Sequence, residues 1–184
     1  RHTATQRLVC LGADPTWKGR PMNTFNPLTQ NSAINGLITA IARNTEDGVL
    51  ARHLGAQSWY IVADHLRPHQ YERGHLLISQ GAQDRNLYFL ESGNLKVDVK
   101  TDIGLMQLAI LGPGTVVGEG SFFSHLPRNA TVVAYSSCKV WSLSPEDFEV
   151  LGKKHPNVAL SLAMALGAIV ALRMVDVSRR IAVT

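Results

Sequence analysis

Cysteine is scarce: Cys10 and Cys138 are the only two in 184 residues. They stand too far apart for a disulfide framework or a zinc site, both of which use closely spaced or numerous ligands. That usage fits a reducing compartment, and a cytoplasmic location is expected. The opening stretch, RHTATQRLVCLGADPTWKGRPM, contains no long apolar run of the kind a secretory signal needs. Charge is sparse at 17% of residues, and its cationic members are scattered, so the net charge of +4 suits acidic ligands without marking a nucleic-acid surface. Catalytic and metal signals are also few. His65 and His69 are four apart, but Pro68 breaks any helix that would place both on one face, so they and His125 read as surface histidines. Ser121 and Ser124 lie near His125 with neither a strand-elbow motif nor an orienting acid, and no enzyme is expected.

What is present is material for one core, with 45% hydrophobic residues in a chain of single-domain length. Residues 1–27 carry Pro15, Pro21, Pro27, Gly12 and Gly19 and read as a loosely docked leader or linker, with Trp17 as a local anchor. Residues 28–184 read as the domain. Helical periodicity starts from Leu28, with Ile34, Leu37, Ile38 and Ile41 on one face, and a second helix is expected over Trp59–Leu66. After Pro68 the chain breaks into short apolar segments divided by glycines, the texture of many short strands. LYFLESGNLKVDV predicts two strands joined at Ser92-Gly93-Asn94, the second burying Leu95, Val97 and Val99 and wetting Lys96, Asp98 and Lys100. Further strands are expected at Gln107–Leu111 and within Ala130–Leu143. Ser144-Pro145-Glu146-Asp147 is a helix start, with a hydroxyl cap, proline at the first position and acids in the first turn. Beyond Pro156 a long apolar helix follows; its uncharged stretch, Asn157–Leu172, is short of the eighteen or more residues of a membrane span, so none is expected.

The functional signal is the run GEGSFFSHLPRNATVVA, Gly118–Ala134. Its Gly-Glu start, small Ser121, apolar pair Phe122-Phe123, and Pro127-Arg128 followed by Ala130-Thr131 resemble, without a gap, the phosphate-binding cassette of the cyclic nucleotide-binding domain family. That family includes the effector domain of the bacterial catabolite activator and the regulatory subunits of the cAMP-dependent kinase. The likeness extends over QYERGHLLISQGAQDRNLYFLESGNLKV and LAILGPGTVVGE, and in all over Leu54 to about Arg180. It implies an α+β fold: a β-sandwich or jelly-roll barrel with N-terminal helices and a long C-terminal helix. It also implies cAMP or cGMP as ligand, with no separate cofactor. A cyclic phosphate carries one charge and its ribose a free 2′-hydroxyl; Arg128 can give the first a charge-assisted fork and Glu119 can accept from the second. Gly118 lets the backbone turn, Gly120 and Ser121 would present amides to the anion, and Asn129, Ala130 and Thr131 complete the expected site.

Three departures bear on affinity and base choice: Gly120 for a common leucine, Val117 for a frequent phenylalanine, and Asn129 where a smaller residue is usual. The side-chain carbonyl of Asn129 can accept from the guanine 2-amino group, or the residue can support the phosphate instead. Ala159, Ala163, Gly167 and Ala171 form a ridge of small residues on the terminal helix, and the resemblance implies a homodimer through it. The resembled regulators continue into a winged helix-turn-helix for which this sequence has no room, so DNA binding is not expected of this chain. Two functional readings stand side by side: a sensor that signals by helix movement, and a ligand-free dimerisation or scaffold module of the same fold.

Overall fold

The computed structural model describes residues 33–45 and 48–181, with the side chains of the last helix described as far as residue 175. The expected leader, Cys10, Trp17 and the helix start at Leu28 lie outside the described residues. Among the described residues three helices lead: α1 (Asn35–Arg43), α2 (Val49–His53) and α3 (Ala56–Ala63). Eight strands follow: β1 (Arg67–Tyr71), β2 (Leu76–Ile78), β3 (Leu87–Ser92), β4 (Leu95–Thr101), β5 (Gly104–Leu111), β6 (Val116–Val117), β7 (Thr131–Ala134) and β8 (Cys138–Leu143). The short α4 (Glu119–Ser124) interrupts the strands, and α5 (Pro145–Lys154) and α6 (Pro156–Ile181) close the chain. α3 begins and ends three residues earlier than its periodicity predicts. Gly55, in extended backbone, starts it, and the chain then straightens into β1 ahead of Pro68.

The strands form two antiparallel sheets, one ordered β1-β8-β3-β6 and the other β2-β7-β4-β5. Alternation along β3 and β8 sends side chains to two different cores. Leu87, Phe89, Trp141 and Leu143 face the helices, where they meet Leu37, Ile41, Trp59, Leu162 and Leu166. Leu90, Val140 and Cys138 face the other sheet, where they meet Ile78, Leu95, Val132 and Ala134. This is the expected sandwich with helices at one side. α1 rests on the first sheet beside the turn that leads to β6. At Gly114 (φ +83°) a Cβ would stand 2.4 Å from the carbonyl oxygen of Ala40, so only glycine admits this approach.

β4 departs from the simple alternation predicted for it. Asp98 is 4% exposed, not wet, and takes the Lys96 Nζ at 2.8 Å. Val97 and Val99 are only half-buried. At the same place the pairing with β5 is irregular: Val97 pairs with Ala109 and Asp98 with Gln107, so Leu108 is an extra residue in the partner strand.

α5 starts as its sequence dictates, with Ser144 Oγ accepting from Asp147 N at 3.0 Å. α6 corrects two expectations. An apolar window of mean hydropathy 2.2 runs through Arg173 to Val175, so by length and composition the helix can cross a membrane. Its Leu162, Ala165, Leu166 and Ile169 are nonetheless buried in the domain's own core. The predicted ridge of small residues does not share one surface: Ala159 is buried, Ala163 half-buried, and Gly167 and Ala171 exposed. A four-residue step advances about 40° beyond a full turn, so three such steps rotate the ridge off its starting face.

Candidate nucleotide-binding site

The site is built around Gly118, at the junction of β6 and α4. Its φ of +94° belongs to the left-handed region, and a Cβ there would lie 2.6 Å from both Arg128 Nη1 and the carbonyl oxygen of Asn86. The first intrahelical bond of α4 runs from Phe122 N to Gly118 O at 3.2 Å. The amides of Glu119, Gly120 and Ser121 therefore have no acceptor within the helix. Ser121 and Phe122 are buried, and Phe122 meets Phe148 of α5 edge to face, which fixes the helix to the domain.

Arg128 is 3% exposed, and its guanidinium is tied at three places. Nη1 donates to Gly118 O at 3.0 Å, Nη2 donates to Asn86 O at 2.7 Å, and Nε and Nη2 together grip the Asp84 carboxylate. A guanidinium has five N–H bonds. With one used at Nε, one at Nη1 and both at Nη2, a single Nη1 N–H is left over. The forked phosphate contact predicted for Arg128 is thus closed while Asp84 holds it, and one charge-assisted bond remains. Because Gly118 both accepts from Arg128 and starts α4, the Nη1 atom that carries the remaining N–H lies at the start of the helix.

Glu119 is engaged as well. Arg173 of α6 donates to its Oε1 at 2.5 Å and to Val116 O at 2.8 Å. The Glu119 side chain is 12% exposed. Downstream, Asn129 is exposed, Ala130 is half-buried, and Thr131 Oγ1 accepts from Gln80 N at 3.2 Å. The structure therefore brings Gly118, Glu119, Gly120, Ser121 and Arg128 to one junction and runs Asn129–Thr131 from it into β7. Sequence reasoning missed Asp84, Asn86 and Arg173. Asp84 and Asn86 lie 42 to 44 residues from Arg128, in the loop before β3, and carry no local pattern. Arg173 had a signal in its isolation, as the first charge after a long apolar stretch of helix.

At the mouth of the cassette His125 ends α4 with φ +59°, and its ring meets Arg85 Nη1 at 2.7 Å. Burial, and then the nearby Glu72, push the Cys138 thiol above its usual range.

Residues 68–155 match the family model of the cyclic nucleotide-binding domain. Over these residues, just under half of its length, the chain is similar to that family. The cyclic AMP receptor protein of Thermus thermophilus is 34% identical over 98 residues, covering 52% of this chain and 45% of that protein. A cAMP-dependent protein kinase regulatory subunit of Eremothecium gossypii is 37% identical over 90 residues, covering 49% of this chain and 19% of that protein. Glutaminase 2 of Bradyrhizobium diazoefficiens matches over 60% of this chain but only 17% of its own length. This chain thus spans less than half of each of these relatives. The Thermus thermophilus catabolite activator protein superposes with a TM-score of 0.62 at 28% identity, over 72% of this chain and 62% of that one. A cyclic nucleotide-binding domain from Methylobacillus flagellatus shares the fold, with a TM-score of 0.71 at 18% identity over 82% and 83% of the two chains.

Proposed function

We propose that the chain is a non-enzymatic sensor domain that binds a cyclic nucleotide, cAMP in preference to cGMP, with its ligand between Glu119, Arg128 and the first turn of α4. The supporting observation is the leftover N–H of a buried Arg128 at the start of α4, whose first-turn amides have no helical acceptors. The leftover N–H and the first-turn amides can together receive an anion while Asp84 balances the guanidinium charge. The ribose 2′-hydroxyl would compete with Arg173 for Glu119, so occupancy would be felt directly by α6. Asn129 is exposed and able to approach the base.

Titration calorimetry tests the assignment. Arg128→Lys keeps the charge but loses the planar fork that Asp84, Asn86 and Gly118 hold, and it should weaken cAMP binding about 10- to 100-fold. Wild-type affinity in that variant would refute the role of Arg128.

One observation favours the ligand-free scaffold reading: both cassette charges are already paired within the chain, Arg128 with Asp84 and Glu119 with Arg173. Absence of any heat of binding with cAMP and cGMP would select it.

For assembly we infer a homodimer through α6. Leu160, Met164, Gly167, Ala171 and Met174 are all exposed and follow alternating four- and three-residue steps, the spacing of a coiled-coil seam. A second copy covers such a seam along its length, and this reading replaces the four-residue ridge. The cytoplasmic setting and the absence of DNA binding by this chain belong to the same proposal.

A further inference from the structure

Away from the cassette, three neighbouring strands change character together. On the face that joins the two sheets, β3 reads Leu90, Tyr88 and then Asn86, and β8 reads Val140, Ser142 and then Ser144. On β1 the same face carries Tyr71, His69 and Arg67, with Arg67 level with Ser142. An apolar sandwich face has become polar at one end, where it lines a trough of about 500 Å³. That volume lies within the usual range for a small-molecule site, about 300–1,000 Å³.

The trough has a built wall. His69 stacks parallel to Tyr71 at 5.8 Å, Tyr71 stacks on His75 at 4.0 Å, and His69 Nε2 lies 2.9 Å from Ser142 Oγ. The first turn of α5 adds Glu146 and Asp147 at the rim. Asp147 is held by Ser144 at 2.9 Å and pairs with the exposed Arg67 at 3.5 Å, so those two opposite charges offset each other at the rim. Glu146 is exposed and makes no ion pair among the described residues. Burial lowers the pKa of His69 below the usual imidazole range, so at neutral pH it adds no cation. The lining is left with one unmatched carboxylate, neutral hydrogen-bonding groups and aromatic rings. A second cyclic nucleotide, an anion, does not fit that balance.

We propose that this trough is a second ligand site, for a small molecule carrying a protonated amine next to an apolar body. The ammonium pairs with Glu146 and the body lies along the His69–Tyr71 wall and Tyr88. Asn86 connects the two sites: it lines the trough, and its carbonyl accepts from Arg128. The proposal does not depend on nucleotide binding and is tested without nucleotide.

The test is an NMR titration with 2-phenylethylamine, 2-phenylethanol and 3-phenylpropionate, three probes of one shape and different charge. The amine should shift the Tyr88 and Asn86 resonances saturably and bind at least tenfold more tightly than the carboxylate. Glu146→Gln, at an exposed helix position, should weaken the amine fivefold or more without changing the melting temperature. Nα-acetyl-lysine amide separates two sources of the cation: affinity equal to the aromatic amine assigns the site to a basic side chain of another protein, which overturns the free-ligand proposal, and weaker affinity supports it. No saturable shift with the amine, or equal binding of the amine and the carboxylate, overturns the proposal outright.

Discussion

At Gly118 there is no room for a side chain. A Cβ would meet both the guanidinium of Arg128 and the Asn86 carbonyl, and the backbone already sits at φ +94°. Gly118→Ala is expected to lower stability by about 1–3 kcal/mol through backbone strain and to displace Arg128. Thermal unfolding together with calorimetry reads both effects; unchanged stability and affinity would contradict the crowding. Asn129→Ala addresses base choice. One accepted hydrogen bond is worth about 1 kcal/mol, so the ratio of cGMP to cAMP dissociation constants should move by about five- to tenfold. A constant ratio in competition titrations means that Asn129 does not read the base. The histidines give a pH signature. Burial first, then the nearby Arg67, lowers the pKa of His69; burial, then Lys154, lowers that of His65. Both bind protons less readily folded than unfolded, so the unfolded chain gains protons as pH falls below about 6.5. Stability should be highest above that pH and decline below it, and the His65→Asn, His69→Asn double variant should flatten the decline between pH 7 and 5.5. A slope unchanged in that variant would assign the effect to other groups.

Among the elements, α6 carries most of the functional consequence, because a single side chain links it to the cassette. Arg173 bonds Glu119 and the carbonyl of Val116, so it grips both sides of Gly118. Arg173→Ala should leave Glu119 free to accept from a ligand while cutting the connection to the helix. Cyclic nucleotide binding should persist, and its protection of α6 amides from hydrogen exchange should be lost; full protection in the variant would show that coupling travels elsewhere. The main elements were legible in the sequence where local rules decide them. Ser144 and Pro145 start α5, and Gly93 separates β3 from β4, as their residue types require. The burial of Asp98 was not legible, because alternation along β4 places it on the wetted face with Lys96, and its pairing with that lysine is seen only in the fold.

At the scale of the whole molecule, the inferred homodimer would place the exposed seam of α6 between two copies. Gly167 lies at its middle, where two backbones would approach most closely, and Gly167→Leu should convert a sedimenting dimer into a monomer. A wild-type monomer at micromolar concentration would dispose of the seam.

The sequence by itself determined the two-sheet fold, the long terminal helix and the cassette, because strand alternation, helix caps and a contiguous motif are all local patterns. Only the tertiary structure decided the state of the cassette charges. Asp84, Asn86 and Arg173 reach Glu119 and Arg128 across 42 to 54 residues of chain. The polar trough is of the same kind, since its residues come from three strands and a helix turn that pairing alone makes neighbours. Hydrogen bonds and ion pairs act over a few ångströms of space regardless of sequence separation, and such partnerships exist only once the chain has folded.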